Sequence, residues 1–271
     1  MPLATPRAQS APSNPPARLE WFGGRVVSNV SVHSVYYGTG SYQKDVGPNE
    51  SGISGFFAGV TNSVHFDWLT EYNIPGQTIG RGSFRGKTTI SPSLVNNAAT
   101  IDDRNIQAEL DAQLSSGGVP APDLEAGGFV KTVYAIFLPQ GKTITQGGAT
   151  GGLPEGFCAY HSTILHNGLA VPYMVLPDFD DPTKLYDQGC GTDKVSLFNN
   201  FTSVTSHELI EVVTDPDVGL ATPTDSSPVA WYDLNYAEIG DICAGQDGKV
   251  VGGNGILYTV QSEFSNAAND C

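Results

Sequence analysis

Ser206-His207-Glu208-Leu209-Ile210-Glu211-Val212-Val213-Thr214-Asp215-Pro216 is the stretch from which the fold of this chain is read. It continues an apolar-periodic run at Val195, Leu197, Phe198, Phe201 and Val204. Together the two predict one helix of several turns. Pro216 ends it, because the residue before a proline avoids the helical region. His207 and Glu211 are four apart, so they share a face, one turn from each other. Glu208 is rotated from His207 by about a quarter turn. The layout is that of a His-Glu-x-x-His zinc helix with glutamate in place of the second histidine. Imidazole nitrogen and carboxylate oxygen are both ordinary zinc ligands. A neighbouring carboxylate outside the ligand set can serve as a base. Such a short pattern also arises by chance, and a helix face bearing two glutamates and a histidine is ordinarily a solvated one. Here the far side, Phe198, Leu209, Val212 and Val213, is strongly apolar, which places the helix centrally.

A metal site needs a further ligand from elsewhere. The acidic cluster Glu238-Ile239-Gly240-Asp241-Ile242-Cys243 is the obvious supplier. Glu238 and Asp241 are three apart, so a single turn can aim both at one ion. The sequence does not say which of them ligates.

The wider composition narrows the class. The chain has 271 residues, 32 of them glycine and 18 proline, and is 39% hydrophobic. That balance suits a loop-rich domain with many short strands, not a helical bundle. The formal net charge is −15, from 28 acidic and 13 basic residues. Nucleic acid is therefore excluded as an expected partner, since phosphate binding needs clustered Lys and Arg. No apolar run is long enough to span a bilayer. The four cysteines, Cys158, Cys190, Cys243 and Cys271, form no Cys-x-x-Cys pair, which argues against a thiolate zinc site. An even count suits two disulfides. Of the three connectivities, Cys158–Cys190 and Cys243–Cys271 close the shorter loops and tie down the C-terminus. Sequons at Asn29, Asn49 and Asn200 add to the expectation of an exported protein. Asn200, seven residues before His207, is expected on the same helix face.

Residues 1–18 are rich in Pro, Ala and Ser and lack the apolar centre of a signal peptide. Residues 1–22 are expected to be a flexible leader or pro-segment remnant, and 23–271 one domain. Strands are predicted over 26–37, 129–138 and 171–176. Helices are predicted over 53–72 and from 101 to about 114. Residues 76–90 suggest an exposed hairpin, and 250–264 a hairpin around Asn254-Gly255. The glycine-rich loop 141–156 lacks the ending of a phosphate loop. The acidic turn 177–182 reads as solvated, with calcium as a minor alternative. His33 and His65 read as packing or surface histidines. The order strand, helix, strand, strand, metal-type helix predicts an α+β fold with a mixed sheet packed on the central helix. This is the general plan of a zincin-like domain.

Several stretches together resemble the Exordium-like, phosphate-induced family of secreted proteins, and its microbial branch in particular. They are Gly23-Gly24-Arg25-Val26-Val27, Val35-Tyr36-Tyr37-Gly38, Phe157-Cys158-Ala159-Tyr160-His161 and Pro172-Tyr173. To these add Ser206-His207-Glu208-Leu209-x-Glu211, Trp231-Tyr232 and Glu238-Ile239-Gly240-Asp241-Ile242-Cys243. The resemblance implies a secreted or cell-wall-associated protein with a zincin-like helix. It supplies no established reaction. Thr214-Asp215-Pro216 and the long leader depart from the plant-type pattern.

The expectation that results is a secreted zinc-dependent hydrolase, a peptidase acting on protein or cell-wall material. His207 and Glu211 are ligands, completed by Glu238 or Asp241, and Glu208 is the general base. His161, Tyr160 or Tyr232 is expected to stabilise the developing oxyanion. The carboxylate-rich ligand set also suits Mn²⁺ or Ca²⁺. The alternative is a non-catalytic binding or structural protein in which the same residues hold a structural ion. A glycosidase using Glu208, Glu211 or Glu238 as acid and base is the weaker third option.

Overall fold

The computed structural model describes residues 16–152, 156–180, 190–191, 193, 196–220 and 228–271. In chain order the described residues form β1 (Glu20–Trp21), β2 (Ser31–Tyr37), α1 (Gly52–Val60), α2 (Val64–Trp68), β3 (Ser83–Ile90), β4 (Thr100–Asp102) and α3 (Asp103–Ser116). There follow β5 (Thr132–Phe137), β6 (Thr143–Gln146), β7 (Ala149–Thr150), β8 (Tyr160–His166), β9 (Leu169–Leu176) and α4 (Leu197–Thr214). Last come β10 (Trp231–Tyr232), β11 (Asp247–Val251) and β12 (Leu257–Gln261). The architecture is mixed α+β, with several sheets and four α-helices among the described residues.

The central sheet has the order β3-β2-β5-β9-β8. Its first four strands run parallel and β8 runs antiparallel at the edge. Strands covered on both faces must be apolar on both, and β5 accordingly reads Thr-Val-Tyr-Ala-Ile-Phe with every residue buried. The two-residue alternation sorts its side chains between two cores. Val133, Ala135 and Phe137 pack with α1 and α4, together with Val32, Tyr36 and Met174. Tyr134 and Ile136 pack with α3, beside Val35, Tyr173, Tyr160 and Ile164. The small sheet β4-β6-β7 adds Ile101 and Ile144 to this second core.

α4 is the element expected at the centre, and it lies there, packed on β8, β9 and β12. The Ser196 hydroxyl accepts from the Asn199 amide and caps its start. Asp215, just before Pro216, has left helical geometry at φ −147° and ψ 71°. Because α4 is buried nearly all round, its hydroxyls need partners. Thr205, Ser206 and Thr214 donate back to the carbonyls of Phe201, Ser203 and Ile210.

Several elements differ from the sequence reading. The helix expected over 53–72 is broken, because Ser63 caps a new helix by accepting from the His65 amide. The hairpin expected at 76–90 is instead the parallel edge strand β3, paired with β2. β8 was not expected as a strand. It forms a hairpin with β9 through Asn167 and Gly168, both at positive φ, which is the favoured short-turn pair. β11 and β12 form the expected antiparallel hairpin. Of the leader expected over 1–22, residues 1–15 lie outside the described residues. Leu19 is buried and β1 pairs with β10. Residues 181–182 of the acidic turn also lie outside them.

A candidate metal centre on the central helix

Four elements converge on one face of α4. The helix itself contributes His207, Glu208 and Glu211. In β8, Tyr160 and Ile164 face the α3 side, so alternation turns His161 toward α4. The segment after β10 contributes Glu238 and, in a short 3₁₀ turn (Asp241–Cys243), Asp241. The end of β12 contributes Gln261, and Glu263 follows it. Gly240 makes this approach possible. A Cβ there would sit 2.5 Å from His207 Nδ1 and 2.9 Å from Glu211 Oε1.

Two groups of donor atoms result, each with all members within 4.8 Å of one another. One is His207, Glu211 and Asp241; the other is His161, Glu208 and Glu211. His207 Nε2 lies 3.2 Å from Glu211 Oε2 and 3.9 Å from Asp241 Oδ1. His161 Nδ1 lies 3.3 Å from Glu208 Oε2 and 3.4 Å from Glu211 Oε2, while its Nε2 is 3.3 Å from Glu238 Oε1. Gln261 Nε2 donates to the Gly240 carbonyl at 2.8 Å and lies 2.9 Å from His207 Nδ1. That contact directs His207 Nε2 toward the carboxylates. His207, Glu208, Asp241 and Gln261 line a cleft of about 370 Å³, together with Phe157 and Ala159.

The electrostatics are those of buried carboxylates short of cations. Burial opposes charge on both imidazoles, yet the surrounding carboxylates drive both well above the ordinary histidine range. Glu238, Glu208 and Glu211 do this for His161, and Glu211, Glu208 and Glu263 for His207. Against its own burial, Glu211 is held low by the two histidines. Burial pushes Glu238, Asp215 and Glu263 up. Burial, then Glu211, raises Asp241 to about 6. Among the described residues, the ion pairs of Glu208, Glu211, Glu238 and Asp241 are all with histidines. His161 Nε2, Glu211 Oε1, Glu238 Oε1, Asp215 Oδ2 and both Glu263 oxygens are buried without a hydrogen-bond partner. Such groups cost free energy unless something compensates them. A divalent cation fits this donor set.

Each residue singled out in the sequence can be placed. His207, Glu211 and Asp241 come together, and Glu208 lies beside them in the cleft wall. Glu238 sits on the His161 side. His161, expected to stabilise an oxyanion, is buried with carboxylates at both ring nitrogens. Tyr232 is half-buried, its hydroxyl raised by burial and by Glu238 and Asp241, which puts it within electrostatic reach. Tyr160 is turned away, donating to Asp103 at 2.7 Å. Glu263 is not singled out by the sequence. Its one signal is a carboxylate two residues beyond Gln261 in an extended segment, hence on the same face. Both expected disulfides form, Cys158–Cys190 and Cys243–Cys271, and Cys158 lines the cleft. Among the described residues no helix is long and apolar enough to cross a membrane. Comparisons with protein-family models, with curated proteins and with solved structures find no match for this chain.

Proposed function

We propose that this chain is a secreted, metal-dependent hydrolase, a peptidase of the His-Glu-x-x-Glu kind acting on protein or cell-wall material. The observation that carries the reading is the donor set His207, Glu211 and Asp241, of which His207 and Asp241 line a cleft together with Glu208. Zn²⁺ suits the imidazole, and Mn²⁺ or Ca²⁺ suits the carboxylates. When bound, the ion supplies Lewis acidity at the cleft. The protein supplies the rest. Gln261 fixes the ring of His207. Glu208 accepts the proton of the attacking water and passes it to the leaving amine. Tyr232, half-buried beside the cluster, offers a hydroxyl donor to developing negative charge. Two disulfides fit export, since such bonds persist in oxidising compartments.

The rival reading, a binding or structural protein with a structural ion, draws on the second donor group, whose three residues are all buried. Two variants separate them. Glu208→Gln is expected to keep the cleft ion and lose activity on a peptide panel by about 10²–10⁴-fold. His207→Ala is expected to lose the cleft ion and thermal stability together. Wild-type protein that holds its ion and cleaves nothing on the panel supports the structural reading.

A further inference from the structure

The site holds more ligand than one cation needs. His161, Glu208 and Glu211 form a complete donor group of their own, and all three are buried. His161 Nδ1 stands 3.3 Å from Glu208 Oε2 and 3.4 Å from Glu211 Oε2. Ligand bonds of 2.0–2.1 Å around a tetrahedral ion put neighbouring donor atoms about 3.3 Å apart. On the other side, His207 Nε2 approaches the same Glu211 oxygen at 3.2 Å. Glu211 is thus common to both groups. Its second oxygen, Oε1, is buried and has no hydrogen-bond partner.

The charge distribution points the same way. One divalent ion at His207, Glu211 and Asp241 would leave Glu208 and Glu238 facing only His161. No lysine or arginine pairs with either among the described residues. Two divalent ions offset four of the cluster's carboxylates, Glu208, Glu211, Glu238 and Asp241, where one ion offsets two. Glu238 also has a use in this arrangement. Its Oε1 lies 3.3 Å from His161 Nε2 without a hydrogen bond between them; with Nδ1 on an ion, Nε2 carries the ring proton and this carboxylate is the acceptor within reach.

We propose that the centre takes two divalent cations: one in the cleft, on His207, Glu211 and Asp241, and one behind it, on His161, Glu208 and Glu211. Glu211 is shared, and Glu238 positions His161. The proposal rests on the reading of α4 as a metal-binding helix and adds a second, enclosed position to it. His161 is then a ligand, and Glu208 faces the enclosed ion through Oε2, which leaves its other oxygen for the proton transfer at the cleft.

The test is Mn²⁺ loading of the chelator-stripped full chain, read by elemental analysis after dialysis and by electron paramagnetic resonance. Wild type is expected to retain two ions per chain and to show the spectrum of a spin-coupled pair. His161→Ala, and the milder His161→Gln should alanine misfold, are expected to drop to one ion with an uncoupled six-line signal. Asp241→Asn, at the cleft edge, is expected to drop to one ion while keeping the enclosed one. One uncoupled ion in saturated wild type overturns the second position and leaves the cleft ion standing. No retained ion overturns both. Retention of two ions without coupling also overturns the proposal, because ions scattered over an acidic surface do not share a ligand.

Discussion

Glu211 carries the most consequence of any single residue, since both histidines converge on one of its oxygens. Without a cation, the cluster around it must neutralise itself with protons, and this gives a pH dependence whose sign can be worked out. His161 and His207 are raised, so the stability they contribute is full below an ordinary imidazole pKa and is lost as pH rises through their folded values. Asp241, raised to about 6, and Glu238, Asp215 and Glu263, also raised, are acids that hold protons in the fold but not in the unfolded chain. Their shift likewise removes stability as pH rises. Glu211 is held low and is ionised throughout, so it adds no slope above pH 5. Chelator-stripped protein is therefore expected to melt at progressively lower temperature between pH 5 and pH 8. Added cation is expected to raise the melting temperature more at pH 8 than at pH 5, because it displaces those protons. A stripped protein that becomes more stable across this range contradicts the assignment.

Among the elements, the segment carrying Glu238 and Asp241 is the most exposed to a test, because Gly240 lets its backbone lie directly over the helix. The φ of Gly240 is −78°, which alanine adopts freely. Any effect of Gly240→Ala is therefore one of space alone, the new Cβ meeting His207 Nδ1 and Glu211 Oε1. We expect a loss of about 1–3 kcal/mol and a cleft-ion affinity at least about tenfold weaker, equivalent to 1.4 kcal/mol, by urea melts and titration calorimetry. Unchanged values would place the segment elsewhere. The same elements show what could be read in advance. α4 was legible because periodicity and Pro216 are local signals, and the β11–β12 hairpin because Asn254-Gly255 names its own turn. β3 was misread because parallel pairing with β2 runs through a crossover and leaves no mark in adjacent residues. His161 is legible as a candidate residue, but its partner Glu208 is 47 positions away, a contact that only the folded sheet specifies. The turn at Asn167-Gly168 was a signal for β8 that the sequence did hold.

At the scale of the whole molecule, each disulfide ties down a segment that carries part of the centre. Cys158 lines the cleft and stands three residues before His161, while Cys243 follows Asp241 by two and binds the last residue, Cys271. Replacing either pair with serine is expected to cost about 2–4 kcal/mol, read as a lower denaturation midpoint. Loss of Cys243–Cys271 is expected to weaken ion retention as well. An unchanged midpoint in both variants would contradict the bracing. The sequons divide by burial. Asn29 and Asn49 are exposed. Asn200 is buried, with its amide nitrogen donating to the Asp193 carbonyl. Glycopeptide mapping after secretion from a glycosylating host is expected to find Asn200 unmodified, and a glycan there would contradict the packing at the start of α4. Whether α4 presents a cation site is decided by anomalous diffraction from crystals soaked in Zn²⁺, recorded at the zinc edge. A strong peak is expected about 2.0–2.1 Å from His207 Nε2, bounded by Glu211 and Asp241; a saturated crystal with no anomalous density at His207 or His161 would rule the site out.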